Sequence, residues 1–138
     1  MQRLINPLNG RITFINDQPS NPSPNRPVSE HLAAIIENAV RATNVSINVN
    51  STSGGKHAPR SFHKFGFAVD INQINNKRID DPASANDVRR FQQFVSQHPA
   101  VAECFGPFIN IRKRGTQVSQ MPQVRAKHLN HLHISSQR

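Results

Sequence analysis

Two short segments of the sequence carry residues that could bind a metal ion. In SFHKFGFAVD, His63 and Asp70 lie seven residues apart on either side of Gly66, and HLNHLHIS contains His131 and His133 two residues apart. Side chains two apart on a β-strand point to the same face, so a strand here would present both histidines together. Asp70 is the one charge in an otherwise apolar run, where a carboxylate is costly unless it is paired, hydrogen-bonded or bound to a cation.

Brought together by strand pairing, His63, Asp70 and His133 would offer two neutral imidazoles and one carboxylate. Three protein ligands of this kind suit Zn²⁺ and leave a fourth position open, as catalytic sites do. Each histidine taken alone is more simply explained as a surface residue or a hydrogen-bonded core residue. The combined pattern S-x-H-x-x-G-x-A-x-D followed by H-x-x-H-x-H is much more specific, and it indicates a metal site.

The elements that must position these residues are indicated by hydrophobic periodicity. The pattern predicts a helix from Ser29 to Asn44 with Ser29 as N-cap, and a second helix before Pro99 in which Ser84 and Asp87 have capping-box spacing. Alternating or β-branched runs predict strands, with a long loop over residues 115–127. The predicted strands are 45–50, 65–74, 107–113 and 128–135. This order favours an α+β fold with an antiparallel sheet.

Length and composition set further limits. The 138 residues suffice for one domain, and four prolines between Pro19 and Pro27 predict an extended segment over residues 1–28 before a single domain over residues 29–138. The one cysteine, Cys104, allows neither an internal disulfide nor a thiolate cluster, so we expect it to be a small core residue.

The formal charge of +9, from 17 Lys and Arg against 8 Asp and Glu, predicts attraction to a polyanion. Nucleic acid, anionic lipid and bacterial cell wall all qualify. We expect no nucleic-acid partner, because the basic residues are scattered and the chain has no Tyr or Trp for stacking on bases. The sequence also lacks an apolar run long enough to span a membrane.

The two motifs resemble those of the zinc D-alanyl-D-alanine peptidases. These belong, with the lysostaphin-type enzymes and the hedgehog signalling domain, to the LAS group, and the resemblance covers roughly residues 44–135. It implies a small antiparallel sheet flanked by helices, a Zn²⁺ ion held by His63, Asp70 and His133, and the peptidoglycan stem peptide as substrate. The domain over residues 29–138 would then be a zinc metallopeptidase, hydrolysing bonds next to D-amino acids as a D,D-carboxypeptidase or an endopeptidase.

The general base is where this chain departs from part of the family. The dipeptidase branch has a glutamate three residues before the last zinc ligand, and Asn130 stands there. The carboxypeptidase and endopeptidase branches have a histidine five residues before that ligand, which is His128. The resemblance therefore implies His128 as base or transition-state stabiliser, with His131 as its partner. An imidazole titrates near neutral pH and can take a proton from the attacking water.

Substrate contacts are expected in the loop before the first motif. The family often has Ser-Gly-x-Arg there, and SGGK puts Lys56 at the position of the arginine. Arg60 is a nearby substitute, and Ser61 matches a residue that shapes the substrate pocket. Lys56 and Arg60 could equally be solvated loop cations.

The N-terminal sequence has no continuous apolar stretch of the kind found in signal peptides. We therefore expect a phage lysis enzyme (an endolysin) or an effector delivered by a secretion machine, acting at the cell wall or periplasm as a monomer. An effector would have an immunity protein as a partner. The alternative is a non-catalytic binding module of hedgehog type, which keeps the zinc ligands without peptidase activity.

Overall fold

The computed structural model describes residues 1–15, 25–52 and 65–138. These residues form two α-helices and ten short strands, with 3-10 turns at Pro82–Ser84 and Pro122–Lys127. The helices are α1 (Glu30–Thr43) and α2 (Ala85–Gln97). The strands are β1 (Gln2–Arg3), β2 (Ile12–Thr13), β3 (Val28–Ser29), β4 (Ile47–Ser51), β5 (Ala68–Ile74), β6 (Lys77–Arg78), β7 (Val101–Phe105), β8 (Ile111–Arg114), β9 (Gln117–Gln120) and β10 (Leu132–Ser136).

The main sheet has eight strands in the order β2-β4-β5-β10-β7-β8-β9, with β6 paired to β5. The β2/β4 pair is parallel and the other pairs are antiparallel. The α+β prediction is confirmed and the sheet is antiparallel apart from the β2/β4 pair, but the prediction that the sheet is small was wrong. The sheet is larger because β2, β6, β7 and β9 add to the four predicted strands.

Both helices share one core with alternate side chains of the sheet. Helix α1 buries Leu32, Ile35, Ile36, Ala39 and Val40, as its periodicity predicted. The side chain of Ser29 accepts a hydrogen bond from the backbone N–H of Leu32 at 3.1 Å, which confirms the predicted N-cap. Helix α2 buries Val88, Phe91 and Val95.

The central strands of the sheet contribute the side chains that pack against the two helices. Ile71, Leu132, Ile134 and Cys104 are fully buried in the same cluster as the helical side chains. Cys104 is a core residue as expected, and burial raises the pKa of its thiol to about 12. The residues that alternate with these on β5, β10 and β7 point to the opposite side of the sheet, which we call the site face.

Two local predictions need correction, and one buried strand has no counterpart among the predicted elements. Ser84 does not cap α2, because its hydroxyl donates to backbone carbonyls, including that of Arg78 at 2.9 Å. The run VAECF, for which the sequence pattern predicts no element, is strand β7 and is buried throughout. The predicted loop over residues 115–127 contains β9 and a 3-10 helix.

The first fifteen residues pack against the rest of the fold. Ile5 and Ile12 are about 1% exposed, and the Arg3 guanidinium makes two hydrogen bonds to the Glu37 carboxylate, at 2.6 and 2.7 Å. The boundary at residue 28 stays a prediction. No helix in the described part of the chain has the length and apolar composition needed to cross a membrane.

Candidate functional site

Asp70 and His133 are direct neighbours on the site face. They are partners in the antiparallel register of β5 and β10, so their side chains leave the sheet on the same side. The Nδ1 atom of His133 lies 3.3 Å from Oδ1 of Asp70. The ring of His133 also stacks on that of Phe105, its partner on β7, with centroids 5.3 Å apart. Strand pairing and stacking together fix the position and the plane of this ring.

The second nitrogen of His133 contacts a carboxylate that sequence reasoning did not place in the site. Nε2 lies 2.9 Å from Oε1 of Glu103 on β7, and that oxygen also accepts a hydrogen bond from the hydroxyl of Ser135 at 3.1 Å. Burial opposes the charged form of His133, but the hydrogen bonds and negative charges of Asp70 and Glu103 outweigh it and raise its pKa to about 9. The raised pKa favours the imidazolium form, in which the two N–H groups of the ring donate to both carboxylates.

Glu103 is itself held by a cation. Its other carboxylate oxygen, Oε2, accepts hydrogen bonds from Nε and Nη2 of Arg112 on β8, at 3.2 and 2.9 Å. Burial opposes the charge of Glu103, but the partners His133 and Arg112 prevail and hold its pKa below the ordinary value. Asp70, His133, Glu103 and Arg112 thus form a row of alternating charge across β5, β10, β7 and β8.

His128 lies beside this row with its tautomer defined. Its Nδ1 is 2.7 Å from the backbone carbonyl oxygen of Val124. A carbonyl can only accept, so Nδ1 carries a proton, and Nε2 is the nitrogen that has the lone pair whenever the ring is neutral. The centroid of this ring is 4.8 Å from that of His131, 5.9 Å from that of His133 and 5.2 Å from that of Phe105. A proton acceptor therefore stands next to the Asp70–His133 pair.

His131 is close to the site, but it does not occupy the predicted strand position. Strand β10 begins at Leu132, so His131 precedes it and does not pair in the sheet. Its Nδ1–H donates to Oδ1 of Asn130 at 2.9 Å. The side chain instead lines a cleft next to Asp70.

This cleft has a volume of about 450 Å³, within the usual range for small-ligand sites. Its described walls are mostly amides, which can both donate and accept hydrogen bonds. Oδ1 of Asn50 is buried and has no hydrogen-bond partner among the described residues. The lining residues are Asn50, Asp70, Asn72, Gln73, Arg78, Asn130 and His131.

The remaining sequence-predicted residues lie outside the described residues. These are the metal ligand His63 and the substrate contacts Lys56, Arg60 and Ser61. Within residues 1–15, 25–52 and 65–138, no three His, Cys, Asp or Glu side chains are arranged to hold a metal ion. Glu103 does not complete such a set with Asp70, because it contacts the opposite nitrogen of His133.

The donors that are described do fit a zinc site. Zn²⁺ takes imidazole nitrogen and carboxylate oxygen, and Asp70 and His133 bring one of each to within 3.3 Å. A ligating histidine usually donates its other N–H to a carboxylate, and Glu103 stands at that place. Two of the three predicted ligands are thus brought together.

No protein-family model, curated protein or solved structure matches this chain.

Proposed function

We propose that this protein is a zinc-dependent peptidoglycan peptidase of the LAS group, with a hedgehog-like fold. The observation that carries the proposal is the approach of Nδ1 of His133 to Oδ1 of Asp70, 3.3 Å apart, beside an amide-lined cleft. The motif resemblance names both residues as ligands, and strand pairing brings them together from positions 63 residues apart.

His63, Asp70 and His133 would hold the zinc ion. When bound at such a site, zinc lowers the pKa of a water ligand to about 7 and polarises the carbonyl that is attacked. The protein would orient its ligands, with the Asp70 carboxylate charged and the histidine rings neutral. Asp70 stays in place through strand β5, and the ring plane of His133 is fixed by Phe105 and Glu103.

His128 would act as the general base. The carbonyl of Val124 keeps its proton on Nδ1, so Nε2 is the atom that accepts a proton from the attacking water. After bond cleavage the same nitrogen can return the proton to the leaving amine. His131, whose ring centroid lies 4.8 Å from that of His128, would be the partner of this base.

The cleft would bind the stem peptide. Amide side chains suit an extended peptide, because each one can donate to a backbone carbonyl and accept from a backbone N–H. Asn50 offers a buried oxygen for such an N–H, and Arg78 supplies a cation for a carboxylate of the peptide. The net charge of +9 favours association with an anionic cell wall.

The test is digestion of purified peptidoglycan with zinc-loaded protein, followed by mass analysis of the soluble fragments. The proposal predicts loss of D-alanine or separation of cross-linked stems in the wild type. Asp70→Asn keeps the side-chain volume but removes a ligand charge, so zinc and activity should both be lost. Asp87→Asn, on α2, is the matched control and should keep both. If the zinc-loaded wild type releases no fragments, the proposal of hydrolase activity is contradicted.

The alternative is a non-catalytic zinc-containing binding module. Asn130 favours it, because this residue occupies the place of the dipeptidase glutamate and cannot take up a proton. A binding module would retain stem-peptide fragments on the zinc-loaded protein without cleaving them.

Delivery by phage lysis or by a secretion machine is part of the main proposal. The effector route predicts that an immunity protein covers the cleft.

A further inference from the structure

Glu103 is a buried carboxylate that the metal-ligand motif does not include. It lies on β7 with about 5% of its surface exposed, and its two oxygens have different partners. Oε1 accepts from His133 and Ser135, whereas Oε2 accepts both hydrogen bonds from Arg112. A residue with this division of contacts can act on His133 while its own charge is balanced elsewhere.

A purely structural ion pair uses its carboxylate differently, and the chain contains one for comparison. Glu37 is also buried, at 6% exposure, and both of its oxygens face the guanidinium of Arg3. Glu103 instead reserves one oxygen for the ring nitrogen and the neighbouring hydroxyl. Fold stability alone does not require a carboxylate to be aimed at an imidazole.

We propose that Glu103 is a positioning residue that selects Nδ1 of His133 as the metal-binding atom. An ionised carboxylate can only accept, so it keeps the proton of a neutral imidazole on Nε2. The lone pair then lies on Nδ1, the atom that faces Asp70 at 3.3 Å. Stacking on Phe105 holds the ring plane, and Glu103 decides which nitrogen is protonated. This inference rests on the proposed zinc site and not on the reaction that occurs there.

The first measurement uses the wild-type protein and requires no substitution. Long-range ¹H–¹⁵N correlation spectra of the zinc-loaded protein distinguish the metal-bound nitrogen of a histidine from the protonated one. The expected result for His133 is metal on Nδ1 and a proton on Nε2. Metal on Nε2 overturns the proposal, and so does a wild type that binds no zinc.

The second measurement is zinc affinity, determined by competition with a chelator. In Glu103→Gln the new amide group must direct its donors at either Arg112 or His133, and we expect zinc to bind 10- to 100-fold more weakly. The matched control, Glu37→Gln, removes the charge of another buried glutamate–arginine pair and should leave zinc affinity unchanged. Equal affinities for the two variants would show that Glu103 is structural only.

Failure of this inference and failure of the proposed function can be told apart. If the zinc-loaded wild type has metal on Nδ1 but releases no fragments from peptidoglycan, the proposed peptidase activity is wrong and the proposed role of Glu103 stands. If it releases fragments with metal on Nε2, the peptidase stands and the role of Glu103 is wrong. Should Glu103→Gln fail to fold, the wild-type spectrum still decides.

Discussion

Replacing His128 with alanine tests the assignment of the general base. The substitution removes Nε2, the proton acceptor, and leaves Asp70 and His133 in place. General-base catalysis contributes about 10²- to 10⁴-fold to rate. At about 1.4 kcal/mol for each factor of ten, kcat should fall by an amount equivalent to about 3–5 kcal/mol. The zinc content of the variant should equal that of the wild type.

The same substitution has a smaller effect on folding. It deletes the hydrogen bond to the carbonyl of Val124, a net loss of about 0.5–1.5 kcal/mol. It also deletes the edge contact with the ring of Phe105, which contributes a further ~0.5–1.5 kcal/mol. Their sum is below the usual stability of a domain, about 5–15 kcal/mol, so the variant should remain folded. Loss of turnover would then not reflect loss of structure.

The assay compares initial rates of fragment release at saturating peptidoglycan, with zinc stoichiometry and thermal unfolding measured on the same samples. His31→Ala is the matched control, because His31 lies on the exposed side of α1. It should match the wild type in all three measurements. A His128→Ala variant that keeps its zinc and its full kcat would refute the assignment. Equal binding of stem peptide by both proteins, with no turnover in the wild type, would favour the binding module.

Three further substitutions test the cleft, the core and the N-terminal contact. Arg78→Gln should raise KM and leave kcat nearly unchanged, because Arg78 lines the cleft away from the reacting atoms; an unchanged KM would exclude it from binding. Leu132→Ala should lower the free energy of unfolding by about 2–5 kcal/mol in denaturant titrations, whereas Leu129→Ala, at 41% exposure, should change it far less. Burial opposes the charge of Glu37, but Arg3 outweighs it and lowers the pKa of Glu37. The ionised Glu37 therefore adds to the free energy of unfolding at pH values above its ordinary pKa of about 4.5. This contribution is lost as the pH falls through the lower pKa that Glu37 has in the folded protein. Wild type and Glu37→Gln should converge in stability below that pH, and a constant difference would contradict the linkage.

The helices could be predicted from the sequence because their signals are local. Five apolar side chains of α1 recur with helical spacing, and Ser29 stands one residue before the first turn, so neighbours in the chain determine both the face and the cap. The opposing directions of Asp70 and Ile71 likewise follow from the alternation of a strand. These features require no knowledge of which strands are partners.

The site as a whole could not be predicted in this way, because it depends on which strands pair and in which register, and these strands are far apart in the sequence. Strand β10 lies between β5 and β7, and nothing in HLNHLHIS specifies those neighbours. Strand β7 was missed because all five of its residues are buried, so the period of two that marks a half-exposed strand is absent. One signal was available: Glu103, like Asp70, is a carboxylate inside a short apolar run and needs a partner for the same reason.

The order of charges across the sheet explains why the carboxylate of Glu103 can serve His133 in either of its states. As an imidazolium, His133 balances Asp70 and Glu103 while Arg112 stands at the end of the row. A neutral His133 would leave a buried Glu103 uncompensated if Arg112 were absent, and an unpaired buried carboxylate tends to take up a proton. A protonated Glu103 could donate to Nε2 and so move the lone pair to the wrong nitrogen. Because Arg112 keeps two hydrogen bonds to Oε2, Glu103 remains an acceptor when His133 loses its Nδ1 proton.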